Sequence, residues 1–330
     1  MKKENGITLV ALVISIIVLL ILEGVTIVTI TGDNGLLQKS KSLKQEIEEA
    51  KELELIKLAV SAAQLTGQGT ITTDNLNNEL KSNLKNNVEA NEISVGWFYQ
   101  AVNNYRIYKD GNVLKANKVP EEYQQLEYIE STGSQYIDLM LNASQYPNIY
   151  VEIDGNYINV DNYPYIFGAG FHNDYNTNCS WKLIGIIQGY KFVAQNGISG
   201  KEKEIMAADT QKHTFILDTV SSIGKIDQNS QVLDNNGVKP INYNYLLFAL
   251  NDHGVIKRNA SFKMYYCKIK NDDALIRNFI PCKSTTTTTN ANGIEVPENT
   301  KGLYDLVEGK FYTNSNTIEG AVDFTSGHEV

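Results

Sequence analysis

An uncharged apolar run near the N-terminus constrains this chain more than any other feature. Sixteen residues from Ile7 to Leu22 carry no charge, and apolar character resumes from Val25 to Ile30 after Glu23 and Gly24. As a helix rising 1.5 Å per residue, the first run spans about 24 Å and the whole stretch about 36 Å, which brackets a hydrocarbon core of roughly 30 Å. Lys2 and Lys3 precede the run, and basic residues stay cytoplasmic, so a single-pass anchor with the rest of the chain outside is expected. Leu9, Val13, Ile17 and Leu20 are expected membrane-anchor residues. Glu23 then falls near the outer interface, where an ionised carboxylate costs far less than the ~2.5–3.5 kcal/mol of the bilayer centre. No small-residue cleavage site of the A-x-A kind follows the run, which argues against a cleaved secretory signal.

The residues just before it carry a resemblance. Lys2-Lys3-Glu4-Asn5-Gly6 followed by Ile7-Thr8-Leu9-Val10-Ala11 resembles the leader of type IV prepilins. The resemblance implies a short leader, residues 1–6, cut by a membrane prepilin peptidase between Gly6 and Ile7, with methylation of the new N-terminus. Two positions depart from the family pattern: Ile7 stands where phenylalanine is commoner, and Ala11 where a glutamate usually pairs with a neighbouring subunit. Ala11 therefore favours a minor or tip position over that of a major repeating subunit. Other pilin subunits are the partners so implied.

Residues 7–30 form the expected transmembrane or filament-core helix, and residues 31–118 the expected pilin-like body. Thr31-Gly32-Asp33-Asn34-Gly35 interrupts the helix, and Leu36 to about Leu65 resumes it with Asp33 or Asn34 as cap. Leu36, Leu43, Ile47, Ala50, Leu58 and Leu65 fall within about 40° of one helical line. A short helix from Thr73 to Lys85 is expected, capped by Thr73 or Asp74, then a strand from Ile93 to Tyr99 and a hairpin turning at Asp110-Gly111. The fold class expected is thus an α+β pilin-like unit, a long N-terminal helix on a small antiparallel sheet, followed by an all-β jelly-roll sandwich.

A linker at residues 119–122, containing Val119-Pro120, separates this body from residues 123–330. Residues 1–120 hold 13 basic and 13 acidic side chains, which leaves the entire net charge of -9 to the C-terminal part. That part runs as short β-rich segments, among them Tyr150 to Ile153, Lys182 to Ile187, Thr214 to Leu217 and Phe262 to Ile269. Asn196-Gly197, Asn236-Gly237 and Asn292-Gly293 read as turns. Many short strands over this length argue for an antiparallel sandwich. Its opening segment, Tyr123 to Asp138, and its closing segments, Met264 to Ile269, Arg277 to Cys282 and Gly302 to Tyr312, resemble a concanavalin-A-like, laminin-G-like domain. Such a resemblance implies binding of glycans or proteins and names no ligand.

Trp181, Tyr175 and Tyr190 lie in a stretch rich in Asn and Gly and are the candidate ligand contacts, since sugars stack on such rings. Tyr163, Tyr165 and Phe167 alternate along one strand and are expected mostly to serve the core. Some relatives of the sandwich hydrolyse glucans with an E-x-D-x-x-E set of carboxylates on one strand. Glu152-Ile153-Asp154-Gly155-Asn156-Tyr157 comes nearest, with tyrosine in place of the last acid, so the retaining mechanism lacks one of its two carboxylates. No catalytic residue, cofactor or metal is expected: the four histidines form no H-E-x-x-H and the three cysteines no close pair. The acidic balance gives a phosphate backbone nothing to bind, so nucleic acid is not an expected partner. If a hairpin turns at Asp272-Asp273, opposed residue numbers sum to 545, which keeps Cys267 and Cys282 out of disulfide reach and leaves free, buried thiols. The function expected is a surface adhesin displaying a lectin-like domain; the alternatives are a non-adhesive pseudopilin of a secretion or DNA-uptake apparatus and, further off, a glycoside hydrolase.

Overall fold

The computed structural model describes residues 36–171, 180–187, 189–198, 201–317 and 322–330, with side chains from residue 40 onward. The expected leader and anchor, with Gly6, Ile7, Leu9, Val13, Ile17 and Leu20, lie outside the described residues, as does Tyr175. Among the described residues, no helix is long and apolar enough to cross a membrane.

Two helices, α1 (Leu36–Thr66) and α2 (Thr73–Leu84), make up most of one compact unit, which runs through Glu89 and takes in Gly111–Val113. Ile56, Ala59, Val60 and Ala63 of α1 are buried, as are Leu76 and Leu80 of α2. A reciprocal pair opens α2: Asn75 N donates to Thr72 Oγ1 at 3.3 Å, and Thr72 N donates to Asn75 Oδ1 at 2.8 Å. The cap is thus Thr72, one residue before the expected position, because only its spacing to Asn75 closes both bonds. Lys85, left-handed at φ 54°, ends the helix.

The second unit comprises Ala90–Asp110 and Leu114–Val330. It begins with a small sheet in which β1 (Ala90–Ile93), β2 (Gly96–Gln100), β3 (Asn104–Tyr108) and β4 (Val113–Lys115) follow one another in chain order. The strand expected from Ile93 to Tyr99 is broken by a two-residue turn at Ser94-Val95. Val95 is not a turn former; Gly96 supplies the unusual backbone, and a Cβ there would lie 2.0 Å from the carbonyl oxygen of Ile107.

The rest is a β-rich sandwich. Its strands in chain order are β5 (Tyr123–Gln125), β6 (Ile129–Thr132), β7 (Ile137–Asn142), β8 (Ile149–Tyr157), β9 (Tyr165–Phe171), β10 (Ser180–Ile187), β11 (Lys191–Ile198), β12 (Lys203–Ala207), β13 (His213–Asp218), β14 (Ile223–Ile226) and β15 (Asn229–Val232). They continue with β16 (Asn244–Leu247), β17 (Leu250–Asp252), β18 (Val255–Lys257), β19 (Ser261–Asn271), β20 (Ala274–Ser284), β21 (Thr288–Thr289) and β22 (Glu295–Val296), which pair as a separate two-stranded sheet, then β23 (Lys301–Asp305), β24 (Lys310–Thr313) and β25 (Thr325–Ser326). One sheet runs β12-β11-β10-β9-β16-β7, with β17 and β18 joined at β9. The other runs β15-β14-β13-β8-β19-β20-β23-β24, with β5, β6 and β25 alongside. Alternate residues of each sheet point inward. Val151, Ile153, Phe215 and Phe262 of the second sheet share one buried cluster with Phe167, Ile184, Phe192 and Tyr245 of the first.

The α+β pilin-like fold expected for the N-terminal part does not hold. Among the described residues, strands take 47% against 14% for helices, so this part is mostly β. Moreover, the small sheet clusters with the sandwich and not with α1. Its attachments explain this. Arg106 on β3, 5% exposed, donates from Nε to the carbonyl of Val307 at 2.9 Å and from Nη2 to that of Leu306 at 2.6 Å. Ile93, Phe98 and Ala116 pack with Leu275 and Val307. These partners lie some 200 positions apart in the chain, beyond the reach of any local pattern.

Two turn expectations fare differently. Asn236-Gly237 and Asn292-Gly293 are turns, each with its glycine at positive φ, whereas Asn196 and Gly197 lie inside β11. There Asn196 is buried and donates to the Thr219 carbonyl at 3.2 Å. At Asp272-Asp273, Asn271 faces Ala274 and Lys270 faces Leu275; a bulge then shifts the register by one, setting Cys267 opposite Phe279. Cys282 faces Gly302 on β23, and both thiols are free and buried.

Candidate functional site

Strand β10 is buried on both faces through its middle. Ile184 and Ile186 enter the core between the sheets, so Trp181, Leu183 and Ile187 must face outward, where Leu183 joins Val193 and Leu250 in a second apolar cluster. The neighbouring strand β9 places glycine beneath this outward row: Gly168 opposes Leu183 and Gly170 opposes Trp181. A Cβ on Gly170 would lie 1.9 Å from the Trp181 ring, so only glycine lets the indole lie across the strand. The same device recurs at Gly185, where a Cβ would lie 2.1 Å from the Tyr165 ring. A bulge between Ile184 and Gly185 brings Tyr165 opposite Gly185. Tryptophan and tyrosine thus form a partly buried aromatic floor pressed onto bare backbone.

Polar groups rim this floor, and the resulting cavity of about 270 Å³ has Gln195, Glu202, Asp252, Lys257 and Arg258 in its walls. Gln195 is buried and donates from its amide to the Ile198 carbonyl at 2.6 Å. Lys257 pairs with Asp252 at 2.5 Å. Arg258 lies over the rings of Tyr163 and Tyr165, at 5.8 and 5.6 Å from their centroids. Its carbonyl accepts from Tyr165 N at 2.9 Å, which fixes the arginine beside that ring. Burial pushes the Tyr165 hydroxyl above its ordinary pKa, against the opposing pull of Arg258, so the phenol stays neutral and able to donate.

Of the expected ligand contacts, Trp181 lies in this cavity. Tyr190 does not: it occupies the turn after β10 at φ 54°, and is 52% exposed. Of the aromatic residues expected mainly in the core, Tyr165 belongs to the floor, while Phe167 is fully buried. The wall residues from Gln195 to Arg258 escaped notice in the sequence, since they come from four separate segments. One local signal was available, because glycines inside a strand mark a close approach, and Gly168-Ala169-Gly170 and Gly185 do so here. A larger depression of about 390 Å³ beside Pro297 and Asn314 is lined mostly by loop residues and has no aromatic ring.

The partial glucanase pattern sits on the opposite sheet. Glu152 and Asp154 share its outer face, where Glu152 accepts from the hydroxyls of Tyr150 and Tyr266, both at 2.9 Å, and Asp154 pairs with Lys212 at 2.8 Å. Tyr157, at the place of the third acid, points into the core against Phe192 and Phe262. Both carboxylates are already engaged. Among the described residues, no group of three or more His, Cys, Asp or Glu side chains is placed to hold a metal ion.

His213 is the other cluster of titratable groups. Its Nδ1 lies 2.6 Å from Asp227 and its Nε2 2.9 Å from Asp209, and only the imidazolium can donate from both nitrogens. Burial opposes that charge, yet the two carboxylates outweigh it and lift the His213 pKa above 6.5. Burial also raises the pKa of Asp209 and of Asp227, but hydrogen bonds hold both below 3.8. The histidine contribution is therefore complete below pH 6.5 and lost as pH rises through the elevated value. That of the aspartates is complete above pH 3.8 and lost as pH falls through the depressed values. His213→Gln is expected to flatten the fall in melting temperature that the native protein shows from pH 6 toward pH 8; parallel curves for the two proteins would refute the clamp.

No protein-family model matches the chain, and no curated protein matches it either.

Proposed function

We propose that this protein is a membrane-moored surface adhesin that binds glycan through the aromatic cavity on the outer face of β9 and β10. The observation that carries the proposal is the Trp181 indole lying against Gly170, a partly buried ring in a cavity lined by hydrogen-bonding groups. Apolar sugar faces stack on such a ring, while amide, carboxylate and guanidinium groups take the hydroxyls. A cavity of about 270 Å³ suits a single sugar ring at a chain end. In this role the sandwich is a concanavalin-A-like lectin module, and the apolar run from Ile7 is its tether, processed by prepilin peptidase after Gly6.

A feature of α1 favours assembly with other subunits on the surface. Leu43, Ile47, Leu58 and Leu65 are 57, 66, 57 and 81% exposed, along the single helical line noted in the sequence. The opposite face, with Ile56, Ala59 and Ala63, is buried. An exposed apolar stripe of this length is unusual in a monomer and calls for a covering surface.

The test is glycan-array binding by the full-length protein in detergent. Trp181→Ala is expected to reduce retention at least about tenfold, the loss of one stacking contact of ~1.5 kcal/mol, with the melting temperature little changed because the ring is outside the main core. Equal retention by the native and alanine proteins would remove the cavity from consideration.

A further inference from the structure

Among the described residues, two charges facing the cavity lack a partner of opposite sign. Lys257 neutralises Asp252, but Arg258 makes no ion pair among the described residues, and Glu202 makes neither an ion pair nor a hydrogen bond there. They carry opposite signs and do not meet: no ion pair within 4 Å joins them. A ligand seated between them is therefore polarised, presenting an acceptor-rich end to Arg258 and a donor-rich end to Glu202.

Resting on the carbohydrate-binding role proposed above, we infer that the ligand is a sugar acid whose carboxylate is read by Arg258. Sugar hydroxyls satisfy Glu202, which accepts only, and the Gln195 amide in the same cavity wall. At the other end, the guanidinium is planar and offers parallel N–H groups, a geometry matched by a carboxylate in a two-bond fork and not by single hydroxyls. Its position over Tyr163 and Tyr165 orients it before binding, so little side-chain freedom remains to be lost. The paired Lys257 and Asp252 close one wall without adding net charge. A neutral sugar would leave the guanidinium without an anionic partner after displacing its water.

The inference is tested by calorimetric titration of the full-length protein with four probes: methyl glucuronide, methyl glucoside, glucose 6-sulfate and glucose 6-phosphate. The glucuronide is expected to bind at least about tenfold more tightly than the neutral glucoside, and Arg258→Gln to bring that ratio close to one. Arg258 is exposed, so the variant keeps the native melting temperature. Glucuronide and glucoside binding equally well would overturn the carboxylate assignment and leave the glycan site standing. Tighter binding of the sulfate or phosphate would show an anion site that does not select the planar group, which also overturns it. If Arg258→Gln keeps the full preference for the glucuronide, another residue reads the acid and the assignment to Arg258 fails. Failure of all four probes, together with an empty glycan array, would instead remove the carbohydrate-binding role on which the inference rests.

Discussion

Asp305→Ala is expected to destabilise the sandwich unit by about 3–5 kcal/mol, the cost of breaking a buried charge network by removing one partner. Asp305 on β23 is fully buried, and its Oδ1 accepts from the backbone N–H groups of Asn278 at 2.9 Å and Val307 at 3.0 Å. Its Oδ2 lies 3.5 Å from Arg277 Nε, and Arg277 Nη1 lies 3.3 Å from Glu308 Oε1. Glu308 in turn holds Ser94, at the turn between β1 and β2. Burial raises the Asp305 pKa in spite of Arg277 and the two N–H donors, so desolvation is not fully repaid at this carboxylate. Arg277 shows the opposite balance: burial works against its charge, but Asp305 and Glu308 prevail and raise its pKa. The network is thus costly to form and more costly to break. Alanine leaves two buried N–H groups unpaired and Arg277 with a single carboxylate. Asp305→Asn should cost less than alanine, because its Oδ1 still accepts both N–H groups. Urea denaturation of the full-length protein measures both; a loss below ~1 kcal/mol for alanine would show that the network contributes little.

What the sequence revealed follows the range of the interactions involved. α1 was legible because its apolar line repeats locally, and β19 and β20 because Asn271 to Ala274 is a compact turn between two alternating runs. The small sheet was legible as strands but not as part of the sandwich, since Arg106 finds its carbonyl partners only at Leu306 and Val307. The same limit hid most of the cavity. Trp181 stood out as a rare residue in a polar stretch, whereas Arg258 and Glu202 resemble any other surface charge until the sheet brings them to one opening. Asn196-Gly197 misled in the other direction. Its turn chemistry is real, but the Asn196 side chain bonds to the Thr219 carbonyl, and a Cβ on Gly197 would lie 2.1 Å from the carbonyl oxygen of Asp234, so tertiary contact explains both residues inside a strand.

Phe262→Ala is expected to cost about 3–5 kcal/mol, as large aromatic truncations in a close-packed core do. Phe262 on β19 is fully buried and meets Tyr157 edge-on at 5.0 Å and Phe215 at 5.8 Å between centroids. These two rings reach the facing sheet: Phe192 of β11 lies 5.5 Å from Tyr157 and 5.3 Å from Phe215. Removing the Phe262 ring therefore leaves a cavity beside the contact that joins the two sheets. The surrounding backbone is hydrogen-bonded on both sides by β6 and β8, so the walls cannot collapse far to fill it. Phe262→Leu keeps most of the volume and should lose no more than about half as much. A double-mutant cycle on Phe192 and Phe215 isolates the packing across the layers, with an expected coupling of about 0.5–1.5 kcal/mol for an edge-to-face pair. A coupling near zero, with Phe262→Ala costing under ~1.5 kcal/mol, would mean that the sheets are not closed on one another at this aromatic layer.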